Sequence, residues 1–276
     1  MWQSRFLALA LMVAQAGLGQ NVTPGQFADL RDVRLWYRDS GGTGVPVIFL
    51  HAASGNSEMW EHQRPPFAAA GFRFIAYDRR GHGRSVATAG AGRGSLAGDL
   101  ELLIKHLNLN RFHLVGTAAG GGAAFDYALS FPQRLRSLVI ANSLGGVTDP
   151  DYVAMGRRIR PSPQFETLPV EFRELGPSYR AANPDGVARW IGLAKSGQQT
   201  AGPLNRITFS AVETIRVPVL LLTGDADLYT PPAVLPMFAE RIKGASELIV
   251  PECGHSAYWE QPDIFNRAVL DFVRRH

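Results

Sequence analysis

One cysteine, Cys253, stands in 276 residues, so no intrachain disulfide can staple this fold. Charge is sparse and scattered as well. Charged residues make up 19% and the formal net charge is +4, yet no block of five or six like charges occurs, which excludes a nucleic-acid-binding arm. No apolar run reaches the roughly 20 residues needed to span a bilayer. The seven histidines are dispersed, so no metal-ligand cluster stands out. Gly120-Gly121-Gly122 has no lysine after it and therefore makes no phosphate loop. No cofactor is expected, and neither an internal repeat nor a low-complexity tract is present.

What is there suits a folded domain. Hydrophobic residues reach 46%, and the length is enough for one large core with room for an inserted lobe. Residues 1–19 read as a secretory signal: Arg5 supplies the positive start, Phe6 to Ala14 the apolar stretch, and Ala14-Gln15-Ala16 a small-x-small cleavage site. Cleavage after Ala16 removes Arg5 and leaves a formal charge of +3. The expected location is secreted or periplasmic, with no stable membrane insertion once the signal is gone.

Periodicity then organises the chain. Gln26 to Arg31 and Val33 to Arg38 alternate as strands do. Val45 to Leu50, Phe72 to Tyr77, Phe112 to Val115, Leu135 to Ala141 and Val217 to Thr223 are short apolar runs, the kind buried on both faces of a parallel sheet. Between them, a helical stretch before Phe72 is expected to be interrupted at Pro65-Pro66. Ser95 to Leu107 carries Leu96, Leu100, Leu103, Ile104 and Leu107 at helical spacing. Strands alternating with helices predict an α/β fold with a mostly parallel twisted sheet flanked by helices. The rhythm breaks over 144–216, where helical fragments hold Phe165, Phe172, Tyr179 and Trp190. That interval predicts a helical cap inserted between core segments 20–143 and 217–276. A disordered loop there would leave those aromatics in water.

The chemistry centres on Phe112 to Asp126, FHLVGTAAGGGAAFD: a strand, a glycine-bounded turn and a helix start. It has the outline of a G-x-S-x-G nucleophile elbow, as Gly116-Thr117-Ala118-Ala119-Gly120, but Ala118 holds the nucleophile's place. Further on, Thr223-Gly224-Asp225-Ala226-Asp227 ends one strand and Gly254-His255 follows the next. Nucleophile position, acid, then histidine is the chain order of one hydrolase fold.

On these motifs the sequence resembles the α/β-hydrolase superfamily, in its single-domain branch of esterases, lactonases and C–C bond hydrolases. His51 with Gly55 is similar to the oxyanion-loop motif, Asp78 to Ser85 to a D-x-x-G-x-G-x-S loop, and Asp227 with Pro231 to G-x-x-D-x-x-x-P. Gly254-His255 with Glu260 and Pro262 matches the catalytic-histidine segment. The resemblance implies that His255 is the general base and then acid, with Asp227 orienting it; Asp225 is the rival acid. It also implies an oxyanion hole from the backbone N–H groups of Ala53 and Ala119. His51 and His82 would be structural. Ala52 departs from the glycine usual after the loop histidine, which puts the placement of Ala53 in question.

Alanine cannot attack a carbonyl, and three meanings stay open. Ala118 could be an introduced or native replacement in a hydrolase of small esters, lactones or related carbonyl compounds. The Asp227–His255 pair could serve another chemistry of the lyase, isomerase or cofactor-free oxygenase kind. Or the chain could be a ligand-binding protein on the same fold. Thr117, adjacent to Ala118, and Ser54 and Ser143, on loops expected to approach the pocket rim, are the hydroxyls to weigh as substitutes. The expected partner is an apolar small molecule, held in part by Trp190, Phe172 and Tyr179; oligomeric state stays open.

Overall fold

A computed structural model describes residues 24–195, 197–198 and 201–276. The signal reading of residues 1–19 lies outside the described residues. Strands β1 (Gln26–Asp29) and β2 (Val33–Asp39) form an antiparallel hairpin. β3 (Pro46–Leu50) leads through a 3-10 turn, Ser57–Trp60, into α1 (Arg64–Ala69) and then β4 (Arg73–Tyr77). Pro65 and Pro66 do not interrupt a helix as expected. They lie in the first turn of α1, where the missing N–H groups have no intrahelical acceptor to lose.

A short β5 (Val86–Ala87) edges the hairpin, and α2 (Leu96–His106) follows with Ser95 capping it: its Oγ accepts from Gly98 N. β6 (Phe112–Thr117), α3 (Ala119–Ser130) and β7 (Leu135–Ala141) complete the middle of the sheet. The chain then leaves the sheet for α4 (Pro150–Arg158), a 3-10 turn at Phe165–Thr167, α5 (Val170–Glu174), α6 (Pro177–Ala182), α7 (Pro184–Leu193) and α8 (Phe209–Val212). It returns in β8 (Val219–Gly224), α9 (Leu235–Ala239), β9 (Ser246–Val250), α10 (Ala257–Glu260) and α11 (Pro262–Arg274). Among the described residues no helix is long and apolar enough to cross a membrane.

The sheet runs β1-β2-β4-β3-β6-β7-β8-β9, and every pairing from β4 to β9 is parallel. Both faces are covered, which is why the central strands read as unbroken apolar runs. β3 sends Ile48 and Leu50 into one layer with α2 and α3, and Val47 and Phe49 into the other with Trp259 and Phe265. Chain order reverses between β3 and β6, where β4 lies on one side and β7 to β9 on the other. In open α/β sheets the crevice outside the carboxyl ends of the strands at such a switch point is where ligands bind. Leu50 pairs with Gly116 and Thr117 with Ala141, so the loops leaving β3, β6 and β7 emerge side by side at that crevice.

Candidate active site

Ala118 occupies the sharp turn between β6 and α3 with φ 51° and ψ −118°. A left-handed φ is unfavourable for any residue with a Cβ and costs about 1–3 kcal/mol, so the surroundings must impose it. They do so from three sides. Ala118 N donates to Ala141 O at 2.9 Å, and Ser143 Oγ donates to Ala118 O at 2.6 Å. Glycines let the turn close: a Cβ on Gly116 would sit 2.3 Å from Gly120 O, and one on Gly120 would sit 2.2 Å from Leu50 O. The strained elbow therefore persists around a methyl group. Ala119 begins α3, so its N–H is among the donors a helix leaves without an intrahelical partner.

His255 and Asp227 meet across the ends of β9 and β8. His255 Nδ1 lies 2.8 Å from Asp227 Oδ1 and 2.9 Å from Oδ2. Burial would push the Asp227 carboxyl up, but His255 and donated hydrogen bonds outweigh it and hold the group below its ordinary value. Those donors are Tyr229 N and Thr230 N to Oδ1, both 2.8 Å, and Thr223 Oγ1 and Asn142 Nδ2 to Oδ2, at 2.9 and 3.0 Å. Burial likewise pulls the His255 imidazole down, and Asp227 more than reverses it, with Glu174 adding to the rise. Asp225, the rival acid, turns away to accept from Glu252 N and Cys253 N.

Ala118, Ala119, Asn142, Ser143, Tyr229 and His255 line one cavity of about 190 Å³. Tyr229 lies over the histidine, with ring centroids 4.7 Å apart. Leu144 and Gly146 are shared with an adjoining cavity of about 520 Å³, whose walls include Tyr152, Phe165 and Arg160. Ala53 is exposed on the loop after β3 and outside that smaller lining. Ala52 has no positive φ, so its Cβ imposes no strain. His51 and His82 are buried under the loops, where desolvation lowers both imidazoles; His51 Nε2 accepts from Arg79 N at 2.9 Å.

The expected pocket aromatics are elsewhere. Trp190 is wholly buried in the core layer that holds Trp60 and Tyr258, Phe172 is 46% exposed beneath the Arg180 guanidinium, and Tyr179 accepts from Asn183 Nδ2. None of the three lines either cavity. Trp190 and Tyr179 pack their helices onto that core layer, while Phe172 keeps much of its ring in solvent. The candidate substitute hydroxyls are also committed or remote. Ser54 Oγ donates to Glu174 Oε2 at 2.8 Å, Ser143 Oγ to Ala118 O, and Thr117 is buried outside the cavity lining.

Asn142, Tyr229 and Glu174 were not singled out by sequence. Asn142 carries the one local signal, a position at the end of a parallel strand, and it adopts φ 47°. Glu174 joins two loops: its carbonyl accepts from His255 N at 3.0 Å while its carboxylate holds Ser54. Glu260 reinforces the histidine loop by accepting from Gly176 N (2.7 Å), Gly254 N (2.9 Å) and Ser256 N (3.0 Å). Glu260→Ala should strand three buried donors and lower stability by about 3 kcal/mol, read by urea denaturation. A loss within about 0.5 kcal/mol, the range of ordinary surface changes, would show that water replaces the carboxylate freely.

The Alpha/beta hydrolase family matches residues 47–268, which carry every element from β3 to most of α11. This chain belongs to that family. Over 286 aligned residues it is 27% identical to the 2-hydroxy-6-oxononadienedioate/2-hydroxy-6-oxononatrienedioate hydrolase of Burkholderia vietnamiensis, covering 90% of this chain and 93% of the relative. A thermophilic esterase from Thermogutta terrifontis superposes with TM-score 0.76 at 26% identity, covering 91% of this chain and 98% of the esterase. The enol-lactonase from Burkholderia xenovorans LB400 shares the fold, with TM-score 0.75 at 22% identity, over 90% and 100% of the two chains. The fold is thus the alpha/beta hydrolase fold, with its mostly parallel sheet between helical layers.

Proposed function

We propose that this alpha/beta hydrolase-family protein hydrolyses a small ester, lactone or related carbonyl substrate, with His255 as base and Ala118 in the place of a nucleophilic serine. The carrying observation is that the His255–Asp227 pair and Ala118 line or abut one cavity at the switch point of the sheet. His255 takes a proton from a water lying against the Ala118 methyl, and that water adds to the carbonyl carbon. Asp227 holds the imidazole through Nδ1 and stabilises the imidazolium. The oxyanion is received by the N–H of Ala119, joined by that of Ala53 when the loop after β3 closes on substrate. His255 then returns the proton to the leaving oxygen, giving acid and alcohol. The cavity shared through Leu144 and Gly146 offers the acyl or ring portion an apolar wall in Tyr152 and Phe165. The protein works outside the cytoplasm, released by the signal at residues 1–19.

The unmodified protein should show slow turnover on a panel of chromogenic esters and lactones that His255→Ala abolishes. Saturable ligand binding with no His255-dependent turnover of any panel member would overturn the hydrolase reading in favour of a binding protein. Turnover that proceeds by proton abstraction from the substrate, with no incorporation of labelled water oxygen, would favour the lyase or isomerase chemistry.

A further inference from the structure

Glu174 is a buried acid bonded to the histidine backbone that takes no part in the proton transfers. It ends α5, between β7 and β8, and is 9% exposed. Nothing about that position favours a carboxylate. Burial penalises the charge, and the C-terminal end of a helix favours cations over anions. No arginine neutralises it among the described residues: Arg173, its chain neighbour, donates instead to Glu166 Oε2, Leu168 O and Tyr229 Oη. The one hydrogen bond that the carboxylate accepts among the described residues comes from Ser54 Oγ, at 2.8 Å.

The contacts of Glu174 run to both sides of the site. Its main-chain O accepts from His255 N at 3.0 Å. The α5–α6 junction is pressed onto the histidine loop: Gly176 N and Gly254 N share Glu260 Oε2, and a Cβ on Gly176 would lie 2.8 Å from Gly254 N. On the other side, Ser54 directly follows Ala53, whose N–H is the second oxyanion donor. That loop is held from the core by Arg79 Nη2, which donates to Ala52 O at 3.1 Å. From the helices between β7 and β8 it is held by Glu174 on Ser54, and by Leu193 O, which accepts from Asn56 Nδ2 at 3.2 Å. Electrostatics join the same groups. Burial raises the Glu174 carboxyl; His255 is the largest influence opposing that rise, ahead of Ser54 and Arg173, and Asp227 adds to it. Burial lowers the His255 imidazole, Asp227 and then Glu174 raise it, and Arg160 opposes them.

From these contacts we propose that Glu174 is a positioning residue of the His255 site, fixing the histidine backbone with its carbonyl and, through Ser54, the loop that carries the Ala53 N–H. The same carboxylate sets a second negative charge, after that of Asp227, where the imidazolium forms. A neutral side chain could fill the space, but only a carboxylate supplies both the acceptor and the charge. The effect on rate rests on the hydrolase reading of the site; the hold on the histidine and the loop does not.

NMR of the parent chain, which needs no turnover, tests both holds. With histidines 13C-labelled and the His255 signal assigned by its loss in His255→Ala, the His255 midpoint should fall in Glu174→Gln. It should stay in place in Glu240→Gln, whose side chain is exposed at the end of α9. Glu174→Ala should also speed amide exchange at Gly55, whose N–H donates to Ala52 O, by at least about tenfold. In Glu174→Gln, whose amide oxygen still accepts from Ser54, that exchange should stay within about threefold of the parent. In the Ala118→Ser background, Glu174→Ala should lower kcat at least about tenfold with KM within about threefold. Glu174→Gln should recover most of that rate, with its acid limb moved to lower pH. Thermal melts confirm that each variant is folded. A folded Glu174→Gln variant with an unmoved His255 midpoint overturns the proposal, as does Gly55 exchange that Glu174→Ala leaves unchanged. Equal losses of kcat in both Glu174 variants, with no movement of the acid limb, do the same. An inert Ala118→Ser variant would count against the hydrolase reading, and the two NMR results would still decide the role of Glu174.

Discussion

Ala118→Ser is expected to raise ester hydrolysis by on the order of 10³-fold, because the strained turn, the histidine and its orienting carboxylate are already in place. The turn holds φ 51° around the methyl, braced by Ser143 Oγ and by the backbone of β7. Replacing one Cβ hydrogen by a hydroxyl adds a single heavy atom, directed into a cavity of about 190 Å³ that His255 also lines. In a serine hydrolase of another fold, removal of the nucleophile costs about 10⁶-fold, so partial recovery of that factor is the natural scale for the reverse change. Rates on p-nitrophenyl esters, with the acyl-enzyme trapped by mass spectrometry, check the outcome. The gain must vanish in the Ala118→Ser, His255→Ala double variant. A serine variant no faster than the parent, though folded, would show that the histidine cannot reach the new oxygen.

Asp227→Asn, made in the Ala118→Ser background, should lower the rate by about 10⁴-fold, as an amide presents the wrong tautomeric partner to Nδ1. The pH profile separates this from general damage. Asp227 raises the His255 imidazole above its ordinary 6.5, so the base form, and the rate, should grow as pH rises through a midpoint above 6.5. With the carboxylate gone, burial outweighs the smaller lift from Glu174 and pulls that midpoint down. Stability follows the same pair with opposite signs at its two ends. The raised imidazole contributes stability in full below pH 6.5, lost as pH rises through its folded value. The depressed Asp227 carboxyl contributes above its ordinary 3.8, and that contribution is lost as pH falls through its lower folded value. Pairing is therefore strongest in the window between these limits. An Asp227→Asn variant whose acid limb does not move would mean that the carboxylate merely braces the loop.

Much of this site was legible because it is written locally. A strand, a glycine-bounded turn and a helix mark the elbow within fifteen residues, and Gly116 and Gly120 are required there by contacts as short as 2.3 and 2.2 Å for a hypothetical Cβ. The spacing around Asp227 and His255 is likewise local. Asn142 is different, since its amide reaches Asp227 only because β7 and β8 pair in a register that brings their ends together. The surroundings of the aromatic residues between β7 and β8 are non-local for a related reason. An apolar helix face shows that a residue must be covered, but not by what: Trp190 is covered by the core and Phe172 by Arg180.

By itself, then, the sequence determined the alternation of strands and helices, the order of the site loops and the absence of a nucleophile at position 118. These rest on side-chain periodicity, on backbone conformations that few residues tolerate, and on the plain chemistry of a methyl group. Only the tertiary structure decided which aspartate meets His255, which hydroxyls are already spent, and which aromatics face the cavity. Those outcomes depend on strand register and helix docking, where residues far apart in the chain compete for the same few ångströms, and no local pattern encodes the winner.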